Sequence, residues 1–251
     1  FEDHIHLFVD GRYTLQAAQQ VDADVVTIHH YRDPTATEWL ADQVKPGMSI
    51  GYDPRLHSIA NIKTLKKMLK EKKAKCMAIE ENPIDCLWSD RPAPPFTPVH
   101  HHGLAYTGCS SDDKIEAIAE ELEHCGADAI VLNEMDGIAW AFNIRGGDTS
   151  YTPLMQGYAI ISADAKAQLF ANPDKFSESS KASLGNRTTL HDTTTFPNSL
   201  DELGKAQLNV SLDKNSSTDW THERLKKAGV KIIYSPDPTK LQRARKNKTE
   251  I

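Results

Sequence analysis

The 251-residue sequence has only four cysteines, Cys76, Cys86, Cys109 and Cys125, with no Cys-x-x-Cys pair among them. That excludes a disulfide scaffold and a zinc ribbon, and leaves the reduced thiols of an intracellular chain. No apolar run approaches the ~20 residues that span a bilayer, so no membrane partner is expected. An excess of basic charge is missing as well. The 29 Lys and Arg stand against 35 Asp and Glu, a formal net charge of −6 with a pI near 6.0, opposite to the electrostatic footprint of a nucleic-acid binder. The sequence contains no His-Glu-x-x-His, no Gly-x-Ser-x-Gly and no glycine-rich phosphate loop followed by lysine. It shows no signal-peptide pattern, but it opens on Phe1 rather than Met, so its true start is expected to be missing. Asn-x-Ser/Thr sequons at Asn186, Asn209, Asn215 and Asn247 are what a chain rich in these residues gives by chance, and do not argue secretion. The expected location is the cytoplasm.

What is present is 39% apolar residues, enough for a real core, in a length comfortable for two domains. In the first part, apolar strands at Ile5 to Val9, Val25 to Ile28, Ser49 to Tyr52 and Cys76 to Ile79 alternate with helical patterns. Thr35 and Glu38 form a capping box ahead of Trp39, and Ser58 can cap a long helix with Ile59, Ile62, Leu65, Met68 and Leu69 along one stripe. The lysines of that helix occupy the opposite, solvated face rather than a binding patch. Strands alternating with helices predict an α/β layer architecture with at least part of the sheet parallel.

Residues 82–98 hold Asn82-Pro83, Trp88-Ser-Asp-Arg-Pro92 and Pro94-Pro95-Phe-Thr-Pro98, too many prolines to continue a helix or enter a central strand. They predict a stiff linker between a domain of residues 1–98, which includes it, and one of 99–251. The adjacent His100, His101 and His102 look like metal ligands, but neighbours on an extended chain point to alternate sides and no Cys, Asp or Glu lies at ligand spacing, so no metal is assigned to them.

The second part is organised around Leu132 to Ile161. A short strand leads into a helix with Met135, Ile138, Ala139 and Phe142 on one face, and Asn143-Ile-Arg-Gly-Gly-Asp148 ends it, its two glycines free to take the positive φ of a helix stop. Ser110 with Asp113 caps the preceding helix, and strands at Gln156 to Ser162 and Lys166 to Phe170 pair through a turn. Residues 172–197 are polar, without an assigned element or purpose. A strand at Leu208 to Leu212, a helix over Ser217 to Lys227, a strand at Val230 to Tyr234 and a last helix opening at Asp237-Pro238 complete the pattern. The basic residues from Lys240 to Lys248 are read as complementing the last helix's dipole. His29-His30, His191-Asp192 and His222-Glu223 read as isolated pairs.

Four wordings carry a resemblance. Leu132 to Ile161, with its N-x-R-G-x-D followed by Pro153 and Tyr158-Ala-Ile, resembles the second domain of the Xaa-Pro aminopeptidases (aminopeptidase P). Asp10-Gly-Arg-Tyr-x-x-Gln-Ala17, directly after an apolar strand, resembles the first, creatinase-like domain, and the Trp-Ser-Asp-Arg-Pro linker joins the two in the same way. Ala244-Arg-Lys-Asn-Lys-Thr-Glu-Ile251 is similar to the segment by which this family enters its catalytic domain. The resemblance implies two successive three-layer α/β domains of creatinase N-terminal type, each a mixed sheet flanked by helices. It implies that a pita-bread catalytic domain follows Ile251, with two divalent ions, commonly Mn²⁺, on two Asp, one His and two Glu, none of them in this chain. The front domain looks truncated by the same comparison.

The resemblance further implies a cytosolic homodimer that removes the residue preceding proline from peptide substrates. These two domains would pack with their own catalytic domain, shape access to it and supply dimer contacts. By position, Arg12 is the one residue implied to lie near the substrate; the alternative is that it pairs with Asp10 and orders the turn. A second reading makes the chain a binding module of the same fold without catalysis, as in histone-chaperone subunits with an aminopeptidase-like domain. Creatinase or prolidase proper fits less well, since those relatives place one domain, not two, before the catalytic one.

Overall fold

In the computed structural model, which describes residues 4–251, the chain divides into two compact units. The first runs to Tyr52 and resumes over Ile62–Glu80; the second takes Asp53–Asn61 and Glu81–Ile251. The second unit therefore includes the proline-rich segment.

The first unit opens with β1 (Ile5–Val9), a 3₁₀ turn at Gly11–Tyr13, α1 (Thr14–Gln20) and β2 (Val26–His30). β1 and β2 pair in parallel, Ile5 opposite Val26 and Val9 opposite His30. The capping box at α2 (Ala36–Gln43) forms as read: the Glu38 N–H donates to Thr35 Oγ1, and the Thr35 N–H donates to Glu38 Oε2 at 2.9 Å. β3 (Ser49–Tyr52) and β4 (Lys75–Ala78) pair in parallel across the crossover helix α3 (Ile59–Glu71). Within this unit Ile62 and Leu69 are buried on the apolar stripe and Lys63, Lys67 and Lys70 are exposed opposite it. His29, which the sequence shows beside His30, instead meets His6 across the strand pair, Nε2 to Nδ1 at 3.0 Å, with Trp39 4.1 Å from the His6 ring. Burial, then the neighbouring His29 and His4, lower the His6 pKa and favour its neutral form.

In the second unit, α4 (Pro83–Leu87) starts inside the proline-rich segment, with Asn82 as its cap. Then come β5 (His100–His101), α5 (Leu104–Thr107), α6 (Ser111–Cys125), β6 (Ala129–Leu132), α7 (Met135–Ala141), β7 (Ile144–Arg145), β8 (Tyr158–Ser162) and β9 (Ala167–Phe170). The chain finishes through α8 (Glu178–Ala182), β10 (Thr188–His191), α9 (Phe196–Lys205), β11 (Asn209–Leu212), α10 (Asp219–Lys227), β12 (Lys231–Tyr234) and α11 (Pro238–Ala244). Six strands form one sheet in the order β10-β9-β8-β6-β11-β12. It is mixed: β8 runs antiparallel to β6 and β9, and the other neighbours are parallel.

Why this sheet has two covered faces is visible in β6. Ala129 and Val131 point into one apolar cluster with Leu200, Leu203 and Leu225, while Ile130 and Leu132 point into another with Ile115, Ile118, Leu122 and Ile138. The alternation of a strand thus sorts a fully apolar run between two helical layers, α9 and α10 on one side and α6 and α7 on the other. Ser110 caps α6 by accepting the Asp113 N–H, and Gly126 ends it at φ 72°.

Residues 172–197, unassigned from sequence, are an integral part of this unit. Phe176 and Phe196 are buried, and Thr188–His191 form the edge strand β10 in parallel with β9. Their polarity misleads because β10 pairs on one side only, where half-exposed threonines serve. The last helix also stops earlier than its basic run suggests: α11 ends at Ala244, and Arg245, Lys246 and Lys248 lie beyond it.

Candidate functional site

Arg12 sits in the turn after β1. Asp10 caps that turn, its Oδ1 accepting both the Arg12 N–H at 3.0 Å and the Arg12 side-chain Nε–H at 2.8 Å. These bonds hold the Asp10 carboxyl below the usual carboxylate range. The Arg12 side chain is nevertheless 80% exposed, so the pairing fixes its direction without burying its charge. Sequence reading offered these as alternatives, substrate contact or local pairing; the geometry makes the pairing real and leaves the remaining guanidinium donors facing solvent.

The glycine-rich turn of the second unit is built differently from its sequence reading. The residue with positive φ after α7 is Asn143, at 50°, while neither Gly146 nor Gly147 has it. Asn143 suits the position because its side chain bonds locally: Nδ2 donates to the Cys109 carbonyl at 2.9 Å, and Oδ1 accepts from Lys114 Nζ at 2.6 Å. The glycine at 146 answers a close approach. A Cβ there would lie 3.0 Å from Met155 Cβ and 3.1 Å from the Leu154 carbonyl.

Each polar residue of the motif is spent inside the protein. Arg145 donates to the carbonyl of Ala139 in the last turn of α7 and to that of Ile144 on β7. Asp148 is fully buried and accepts three donors, Lys175 Nζ at 2.7 Å, Thr97 Oγ1 at 2.7 Å and the Gln156 N–H at 2.8 Å. Burial alone would raise its pKa; those hydrogen bonds outweigh burial and hold it ionised below the usual range. Lys114, buried over the Trp140 ring, loses solvation and is pushed down to about 8. Thr97, Lys114 and Lys175 lie far from the motif in sequence, and nothing in their own neighbourhoods announced this role.

In the basic exit segment Lys240 and Arg243 have specific carboxylate partners, while Lys246 Nζ donates to the Arg243 carbonyl at the C-terminal end of α11, as a cation at a helix end does. Lys240 Nζ lies 2.9 Å from Asp213 and 3.3 Å from Glu134, and Arg243 pairs with Asp136 at the start of α7. Beyond the helix, Asn247 Nδ2 donates to the Thr107 carbonyl at 2.8 Å. His100 and His101 are exposed on β5, opposite Arg145 and Ile144, with no carboxylate paired to them among the described contacts.

Among the described residues, one group of metal-capable side chains comes together, Asp219, His222 and Glu223 on α10. The sequence pair His222-Glu223 is therefore joined by a third residue one turn away. A two-ion hydrolytic centre with two Asp, one His and two Glu does not fit these three side chains, so no hydrolytic step is derived from this chain.

Comparison with known proteins gives a consistent neighbourhood. The sequence model described as creatinase/prolidase N-terminal domain matches residues 90–250, and a second model with the same description matches residues 1–82. A probable Xaa-Pro aminopeptidase P of Aspergillus niger is 37% identical over 182 residues, covering 71% of this chain and 30% of that protein. One of Leptosphaeria maculans is 30% identical over 258 residues, covering 99% of this chain and 42% of that protein. The fold superposes on the crystal structure of an X-prolyl aminopeptidase from Caenorhabditis elegans, described as a cytosolic enzyme with a di-nuclear active site. That match has a TM-score of 0.88 and 24% identity, and covers 99% of this chain and 41% of that one. The chain thus spans less than half the length of each of these relatives.

Proposed function

The chain belongs to the creatinase/prolidase N-terminal domain family, and from that premise we propose that it is the non-catalytic front portion of a dinuclear-metal Xaa-Pro aminopeptidase. The observation that carries this is the extent of the match: 99% of this chain aligns with only 42% of an aminopeptidase P relative, so both of its units correspond to part of a longer enzyme. In that enzyme these units shape access to the catalytic domain that follows, admit short or unstructured peptides with proline second, and supply contacts of a homodimer. The metal ions, manganese in this reading, belong to that following domain. The cytoplasm is the proposed location, in keeping with the description of the worm relative.

The reading predicts that the 251-residue chain alone, supplied with Mn²⁺, leaves an Xaa-Pro peptide uncleaved, while the native gene product is more than twice as long and cleaves it. Hydrolysis by the chain alone would refute the non-catalytic assignment. A native product of about this length, without metal, would favour the binding-module reading instead.

Arg12 is proposed to face the peptide. Its guanidinium is oriented by Asp10 yet exposed, which leaves a fixed cation for a carbonyl or carboxylate of the substrate. Arg12→Ala in the full-length enzyme is expected to lower kcat/KM for short Xaa-Pro peptides by about tenfold or more, the loss of one charge-assisted hydrogen bond. An unchanged kcat/KM alongside a lower Tm would assign Arg12 to ordering the turn alone.

A further inference from the structure

Asp219, His222 and Glu223 occupy positions i, i+3 and i+4 of α10, so all three project from one face of the helix. One ligand atom from each lies within 4.8 Å of the others. The site is closed on its inner side and open on its outer one: Asp219 is 3% exposed, the His222 side chain 14% and Glu223 37%. One borderline nitrogen and two carboxylate oxygens are a donor set for a first-row divalent ion, and the two carboxylates balance its charge.

A neighbouring strand completes the arrangement. Tyr234 on β12 places its hydroxyl 2.8 Å from His222 Nε2, while His222 Nδ1 lies 3.1 Å from Glu223 Oε1. If the phenol oxygen accepts the Nε2 proton, the Nδ1 lone pair faces the carboxylates, which is the tautomer a metal-bound imidazole needs. Without an ion, the same 3.1 Å contact suits the other tautomer, with the proton on Nδ1 and Nε2 accepting from the phenol, so that binding shifts the single ring proton from Nδ1 to Nε2.

We propose that Asp219, His222 and Glu223 bind a single divalent transition-metal ion, with Tyr234 as the hydrogen-bonding partner that orients His222. This does not depend on the peptidase reading. Among the described contacts, the positive N-terminal end of α10 and Lys214, whose Nζ lies 4.1 Å from the Tyr234 ring centre, oppose the ion. Both are weaker than two directly ligating carboxylates. With three protein ligands the remaining positions fall to solvent, and the ion ties α10 to β12 through His222 and Tyr234.

The test is a Zn²⁺ titration by calorimetry on the 251-residue chain carrying His100→Asn and His101→Asn, so that these exposed histidines do not compete. One site is expected there, with Tm rising as zinc is added. In the same background His222→Ala abolishes the site, Glu223→Gln weakens it, and Tyr234→Phe weakens it by about tenfold or more. Circular dichroism checks each fold; should His222→Ala not fold, the half-exposed Glu223→Gln decides. A parent without a zinc site, or a folded His222→Ala or Glu223→Gln variant that binds as the parent does, would overturn the proposal.

Discussion

Asp148→Ala is expected to destabilise the chain by about 3–5 kcal/mol, because it leaves the buried ammonium of Lys175 without a counter-charge. Both side chains are out of water, Lys175 at 8% and Asp148 at 0% exposure, and they meet at 2.7 Å. Lys175→Met removes the opposite partner and is expected to cost a similar amount. The double variant Asp148→Leu with Lys175→Met removes both desolvated charges at once. It should recover most of the loss, though Thr97 Oγ1 and the Gln156 N–H then lack their acceptor. Denaturant unfolding of the wild type, Asp148→Leu, Lys175→Met and the double variant closes the cycle and gives the coupling directly. Single variants each costing under about 1 kcal/mol would show that the pair is not the anchor of this turn.

The same group sets an acid limit. The folded Asp148 pKa lies below its unfolded value, so its contribution is fully present above the unfolded pKa and is lost as pH falls through the folded one. The wild-type chain should therefore lose stability on acidification more steeply than the double variant does.

Local signals were legible in the sequence where the physics is local. The Thr35–Glu38 box, the Ser110 cap and the stripe of α3 all need only a few neighbouring residues, and each appears as read. What failed was whatever depended on distant partners. Asn143 rather than a glycine takes the positive φ because Lys114 and the Cys109 carbonyl, some thirty residues away, bond its amide. The polar stretch 172–197 holds a strand only because β9 offers it a free edge. Lys240 and Arg243 of the exit segment meet Glu134, Asp136 and Asp213 only through the fold. The candidate residues divide the same way. Arg12 was singled out by a wording, whereas Asp219 joins His222 and Glu223 one helical turn away, where a sequence scan for adjacent pairs does not look.

That dependence on distant partners also decides the sign of Gly204→Ala. In an isolated helix the exchange favours folding by about 1 kcal/mol, and Gly204 lies inside α9. Here a Cβ would stand 2.1 Å from the Ala228 carbonyl oxygen and 2.6 Å from Ala228 Cβ, at the end of α10. The two helices have little freedom to part. Arg224 on α10 grips Asp201 on α9 at 2.6 Å and 3.0 Å, and also donates to the Pro197 carbonyl at 2.9 Å. The clash must then be absorbed by backbone, and overpacking of this kind costs about 1–3 kcal/mol or more, which exceeds the propensity gain. The expected result is a lower Tm for Gly204→Ala. Adding Ala228→Gly should recover only part of it, since that removes the Cβ contact and leaves the closer carbonyl in place. A Tm raised by Gly204→Ala would mean that α9 and α10 can slide apart at low cost, and that the Arg224–Asp201 grip does not hold their spacing.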